Sequence, residues 1–179
     1  MTIDIVVATA AKMRDIGRRL APILRAGDLV VLTGSLGAGK TTLAQGIGDG
    51  LGVRGAVTSP TFVIARVHPS LDAGPALVHA DAYRLGGRLE VDDLDLDESL
   101  ADSVTLVEWG EGLVENLSAD RLEIEIVRPE GAVDAVGAVG AVDAASPDNV
   151  VDAGDEPRQL RVTARGARWH DADLSALAS

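Results

Sequence analysis

The sequence predicts an α/β fold: three layers, with a mixed, partly antiparallel central sheet. Three observations carry that prediction. An apolar run, Asp28 to Thr33, passes through the glycine-rich stretch Gly34-Ser35-Leu36-Gly37-Ala38-Gly39-Lys40-Thr41 into a segment where Leu43, Ile47 and Leu51 recur every four residues. Strand, glycine loop and amphipathic helix in that order open an α/β unit. Two β-rich runs, Phe62 to Val67 and Ala76 to Ala80, are joined by Pro69 and Gly74-Pro75 turn chemistry, which suits an antiparallel hairpin. Leu122 to Val127 alternates apolar and polar, and Gln159 to Ala164 reads as its return partner.

Taken in order, Ile3 to Val7 is an edge strand. Thr9 is an N-cap for a helix carrying Met13, Ile16, Leu20 and Leu24, with Pro22 bending its last turn. The glycine-loop helix contains Gly46, Gly48 and Gly50, each costing up to about 1 kcal/mol against alanine. It is therefore held by packing or frays toward Gly52. Thr58-Ser59-Pro60-Thr61 is a polar turn before the hairpin, whose second strand ends in Asp81. Leu89 to Leu100 reads as a short helix or turn. Val104 to Val107 is a buried strand ending in Glu108-Trp109-Gly110.

The 179 residues suffice for a single domain over 1–179 with a real core. Glu130 to Glu156 interrupts it: Gly-Ala-Val occurs three times and Ala-Val-Asp-Ala twice, with seven acids and no Lys or Arg. Such small side chains bury too little to offset ordering entropy, so a disordered low-complexity insertion is expected at 130–156. The formal net charge of −12 argues against broad binding to nucleic-acid backbone. With no cysteine, disulfides, thiolate catalysis and cysteine zinc sites are excluded. The N-terminus lacks a signal-peptide pattern and no apolar run reaches membrane-spanning length, so a cytoplasmic protein with no membrane association is expected.

Gly34 to Thr41 spells G-x-x-x-x-G-K-T, the phosphate-binding loop (Walker A motif) of nucleoside triphosphatases. Glycines let backbone N–H groups converge on a polyphosphate, Lys40 reaches the β and γ phosphates, and the Thr41 hydroxyl can ligate Mg²⁺. Lys40 is one of two lysines against fourteen arginines, a compact ammonium in a chain that otherwise uses guanidinium. Such a loop needs an acid at a neighbouring strand end to position the metal or its waters. Glu108 is the favoured metal acid and Asp81 the residue that orients a water. No Asn-Lys-x-Asp occurs, which tilts the base toward adenine. Asp93 to Asp97 resembles a calcium loop but lacks its glycine, and His68, His79 and His170 share no metal-ligand spacing.

Gly37-Ala38-Gly39-Lys40-Thr41-Thr42, Ser59-Pro60-Thr61-Phe62, His79-Ala80-Asp81-Ala82-Tyr83-Arg84-Leu85 and Leu106-Val107-Glu108-Trp109 occur together in one family. The chain resembles TsaE (YjeE), the bacterial P-loop ATPase of tRNA threonylcarbamoyladenosine biosynthesis, from about residue 3 to 127 and again from 157 to 164. The resemblance implies a P-loop NTPase-like fold and ATP held by Gly37, Ala38, Gly39, Lys40, Thr41 and Thr42. It further implies Mg²⁺ on Thr41 and Glu108, catalytic roles for Lys40, Asp81 and Glu108, and a nucleotide contact from Arg158. Ser59, Pro60, Thr61, Tyr83, Arg84 and Trp109 become partner or switch residues. The implied activity is a slow, partner-stimulated, Mg²⁺-dependent ATP hydrolase. It would be accessory to a TsaB–TsaD complex that modifies adenosine 37 of tRNA, reaching tRNA through that complex. A nucleotide-dependent binding switch, or a small-molecule kinase, are the competing readings. The chain departs from the family at Ser35, where Asp is usual, at Phe62, Ala80 and Ala82, and in the long stretch 128–156.

Overall fold

A computed structural model describes residues 1–128 and 156–178; the expected insertion at 130–156 lies almost wholly outside the described residues. The described chain forms a seven-stranded sheet in the order β1-β7-β6-β2-β5-β4-β3. The strands are β1 (Thr2–Val7), β2 (Leu29–Gly34), β3 (Ala65–His68), β4 (Ala76–Asp81), β5 (Ser103–Glu108), β6 (Arg121–Val127) and β7 (Arg158–Arg165). The centre is parallel, β2 lying between β5 and β6, with β4 on the far side of β5. Both margins are antiparallel: β3 returns along β4, and β7 runs against both β6 and β1. The mixed sheet is therefore as the sequence predicts, and β1 is an edge.

Helices α1 (Ala10–Leu20) and α2 (Lys40–Leu51) cover one face. Thr9 caps α1, its hydroxyl accepting from the Lys12 N–H at 3.1 Å. Pro22 sits in a 3₁₀ turn, Ala21–Ile23, that closes the helix. Beneath these helices lies the larger core: Val30, Leu32, Leu77, Leu106, Leu122, Ile124, Ile126, Leu160 and Val162 from the strands, with Met13, Ile16, Leu20, Leu43 and Ile47 from the helices. Trp169, Leu174 and Leu177, beyond the last strand, complete it.

The glycines of α2 are explained by contact. A Cβ on Gly17 of α1 would lie 2.5 Å from the Leu43 carbonyl oxygen and 2.7 Å from the Ile47 nitrogen, and one on Gly46 would collide with the Arg14 carbonyl. Bare backbone on both helices lets them touch, so α2 is held by packing and runs to Gly52, which ends it in left-handed conformation at φ 64°.

On the opposite face, α3 (Arg88–Asp92) and α4 (Leu96–Leu100) resolve the expected helix or turn into two short helices. Val91 and Leu96 pack with Leu29, Val31, Val78, Ala80, Val107 and Val114. This third layer covers β2, β5 and β4. Over β6, β7 and β1 the same face carries ion pairs instead, Arg161 with Asp4 at 2.9 Å and Arg165 with Glu123 at 3.1 Å.

The first strand of the hairpin is corrected. The expected run from Phe62 begins only at Ala65. Val63 and Ile64 both donate to the Pro60 carbonyl, which closes a turn over residues 61–63, and Ile64 takes φ 67°. Phe62 and Val63, the apolar residues that read as strand, are solvent-exposed.

Candidate functional site

The site lies at the carboxyl ends of β2, β4 and β5, where the loop after β2 enters α2. Gly34, Gly37 and Gly39 take φ 138°, 72° and 111°, values that side chains resist, and the loop turns within six residues into the helix N-terminus. Gly34 has a second reason: a Cβ there would collide with the Ile126 carbonyl of β6. Ala38 is buried, whereas Ser35, Leu36 and Gly37 face solvent, so the loop rim is open to a ligand.

Lys40 is the first residue of α2 and is buried. Its ammonium donates to the carbonyls of Gly34 at 2.8 Å and Ser35 at 3.0 Å, and lies 3.9 Å from the Trp109 ring centroid. Burial pushes its pKa below the ordinary lysine value; the carboxylates of Glu108 and Asp81 oppose that shift.

Thr41, one residue on, donates to Glu108, its hydroxyl 3.0 Å from Oε1 and 3.3 Å from Oε2. Parallel pairing sets Asp81 directly beside Glu108. Both predicted acids are buried and on the α2 face. Asp81 accepts a short hydrogen bond from the Thr61 hydroxyl and another from the Tyr83 N–H at 2.9 Å. Thr61 in turn is 2.7 Å from the Ser59 hydroxyl. The Ser59-Pro60-Thr61 turn is thus tied to the acid it flanks. Trp109, at φ 60°, is pinned to β2 by its N–H on the Leu32 carbonyl, and its ring centroid is 5.0 Å from that of Tyr83. Arg84 lies over the exposed Phe62 ring, its guanidinium carbon 4.7 Å from the centroid.

Lys40, Thr41, Asp81, Glu108, Thr61, Ser59, Tyr83 and Trp109 are therefore brought together. Thr42 follows in the first turn of α2, half-buried. Arg158 starts β7 and donates to the Glu156 carbonyl, and among the described residues it has no hydrogen bond to the phosphate loop. The arginine that does touch the loop is Arg128, whose Nη2 donates to the Gly37 carbonyl at 2.9 Å. It follows β6 directly, and the sequence offers no more than a basic residue after a strand. His79 shares no metal-ligand spacing with another histidine in the sequence, yet its Nε2 is 2.9 Å from Glu108 Oε1.

The donor set suits Mg²⁺. The Thr41 hydroxyl and the Glu108 carboxylate are hard oxygen donors converging at one point. Among the described residues no group of three or more His, Asp or Glu could hold a metal alone. Two protein oxygens, with the remaining positions left to phosphate and water, is how this cation is usually held.

Sheet order, glycine loop and flanking helix define an α/β protein with a P-loop NTPase-like fold. A crystal structure of Bacillus subtilis YdiB superposes with a TM-score of 0.65 at 29% identity, covering 94% of this chain and 89% of that one. The sequence profile of "Threonylcarbamoyl adenosine biosynthesis protein TsaE" matches residues 7–134, and the chain belongs to the TsaE family. Similar proteins bear the description tRNA threonylcarbamoyladenosine biosynthesis protein TsaE. That of Streptomyces coelicolor is 61% identical over 93% of this chain and 99% of its own length. That of Bacillus subtilis is 36% identical over 86% and 80%.

Proposed function

We propose that the chain is a Mg²⁺-dependent ATPase serving tRNA threonylcarbamoyladenosine synthesis as the accessory subunit of a TsaB–TsaD complex in the cytoplasm. One observation carries the ATPase reading: the Thr41 hydroxyl meets the Glu108 carboxylate at the mouth of the phosphate loop, beside the Lys40 ammonium. Thr41 and Glu108 would hold Mg²⁺, which supplies charge neutralisation to the departing phosphate. Lys40 leaves the Gly34 and Ser35 carbonyls for the triphosphate, adding a positive charge where negative charge develops. Asp81, beside Glu108 and held by the Thr61 hydroxyl, orients the attacking water. The biosynthetic assignment draws on the family and on the names of its relatives, and the partners on the resemblance in sequence.

The test is hydrolysis of Mg-ATP by purified protein, alone and with TsaB and TsaD homologues. Lys40→Ala and Glu108→Ala should each lose at least a hundredfold in turnover, the scale of losing a preorganised charge contact. Wild-type turnover in either variant would overturn the assignment.

A second reading has its own observation. The Ser59-Pro60-Thr61 turn hangs on Asp81 through Thr61, so a ligand that engages Asp81 also frees a surface loop bearing exposed Phe62 and Val63. In that reading ATP is a conformational ligand and hydrolysis only resets the complex. A non-hydrolysable ATP analogue that supports one round of tRNA modification would favour it.

A further inference from the structure

We infer that His79 is a positioning residue for the Mg²⁺ acid: it fixes which Glu108 oxygen faces the metal. The inference rests on the reading of the site as a Mg²⁺-nucleotide site. His79 is fully buried on β4 two residues before Asp81, and the β4–β5 register sets it opposite Leu106, two residues before Glu108. Its Nε2 lies 2.9 Å from Glu108 Oε1. A carboxylate can only accept, so Nε2 carries the proton. The other ring nitrogen, Nδ1, is buried and has no hydrogen-bond partner among the described residues. The bond to Glu108 therefore uses the Nε2–H.

Oε1 of Glu108 then accepts from His79 and, at 3.0 Å, from Thr41, while among the described residues Oε2 has only the longer 3.3 Å contact with Thr41. The two donors anchor one oxygen and leave the other to turn outward. Without the imidazole, among the described residues only Thr41 donates to the carboxylate, and the oxygen of that same hydroxyl would also ligate the metal. His79 is the donor to Glu108 that takes no part in ligating the metal. Removing such an outer partner of a metal ligand typically weakens metal affinity by roughly 10- to 100-fold.

The experiment titrates Mg²⁺ into protein bound to a fluorescent, non-hydrolysable ATP analogue, for wild type, His79→Leu and His79→Gln. Binding in EDTA supplies a metal-free baseline. Wild type should bind the analogue more tightly as Mg²⁺ is added. His79→Leu should match wild type within about twofold in EDTA, yet need roughly 10- to 100-fold more Mg²⁺ to reach its midpoint. His79→Gln, whose side-chain N–H extends to the position of Nε2, should recover most of that shift. A wild-type midpoint in His79→Leu overturns the inference, as does an equal shift in both variants, which would mark lost packing in place of a lost donor. Should His79→Leu fail to fold, His79→Asn carries the test, because its shorter amide stops near Nδ1 and leaves Glu108 without a donor; a wild-type midpoint there is equally fatal. Wild-type binding that ignores Mg²⁺ would instead overturn the underlying site reading.

Discussion

Gly17→Ala sets two physical effects against each other. Gly17 is buried in the interior of α1, and a methyl group there would stand 2.5 Å from the Leu43 oxygen, 2.7 Å from the Ile47 nitrogen and 2.8 Å from the Gly46 carbon. All three are backbone atoms of α2, so no side chain can swing aside. Helix propensity alone favours alanine by about 1 kcal/mol. Relief of the overlap requires the helices to part by most of an ångström, and overpacking of this kind costs about 3 kcal/mol at the upper end of its usual range. The expected net loss is about 2 kcal/mol, or roughly 4–8 °C in melting temperature for a chain of this size. Urea denaturation followed by circular dichroism measures the stability. Nucleotide titration measures a second consequence, because α2 begins at Lys40 and a displaced α2 displaces the loop's lysine; affinity should fall as well. A variant more stable than wild type would show that propensity wins, and that the two helices are not in contact through bare backbone.

Three further outcomes are expected. Thr61→Val removes the hydroxyl shared by Asp81 and Ser59, and should lower kcat by about tenfold or more, the value of a hydrogen bond to a charged group, with little change in KM for ATP; a change in KM alone would count against a switch role. Arg128→Ala removes the donor from the Gly37 carbonyl and should weaken nucleotide binding about fivefold, the worth of one net hydrogen bond, as read by calorimetry. Asp28 is buried beneath Arg168 at 3.1 Å, and burial raises its pKa above 3.8 despite that partner and the Arg25 N–H. The folded state therefore takes up this proton before the unfolded chain does, so acidification toward 3.8 reduces the cost of Asp28. Asp28→Asn should lack that component, and unfolding at a series of pH values tests the sign. Wild type losing ground to Asp28→Asn over that interval would contradict it.

Much of the fold was legible because strand–loop–helix order and alternation are local. The phosphate loop, the Thr9 cap, the β6–β7 pairing and both strand-end acids needed no knowledge of distant residues. The start of β3 was not legible, since Phe62-Val63-Ile64 has strand composition, and only the Pro60 carbonyl, receiving two N–H groups, makes it a turn. Composition also gave no clue that Gly17, Gly46 and Gly50 mark one interhelical contact, because the pairing of two helices is not written in either alone. His79 and Arg128 were missed for the same reason: each acts through a neighbour brought near by sheet register.

Register also explains why the site assembles on one face. Side chains alternate along a strand, so positions an even number of residues apart share a face. Leu77 and Leu106 lie in the core beneath α2. His79 and Asp81 follow Leu77 by even steps, and Glu108 follows Leu106 by one such step, so all three point at the phosphate-loop helix. An acid at either strand end but out of phase by one residue would face α3 and α4 and could not reach Thr41. Trp109 is out of phase, and by alternation its ring belongs on that opposite face. It does pack against the core on that face, and its left-handed backbone, φ 60°, also brings the indole to within 3.9 Å of the Lys40 ammonium. Such a conformation is costly for a bulky residue and persists only where its surroundings enforce it. Here the bond from the Trp109 N–H to the Leu32 carbonyl extends the β2–β5 ladder one residue past the acid, and that bond fixes both the turn and the ring above the lysine.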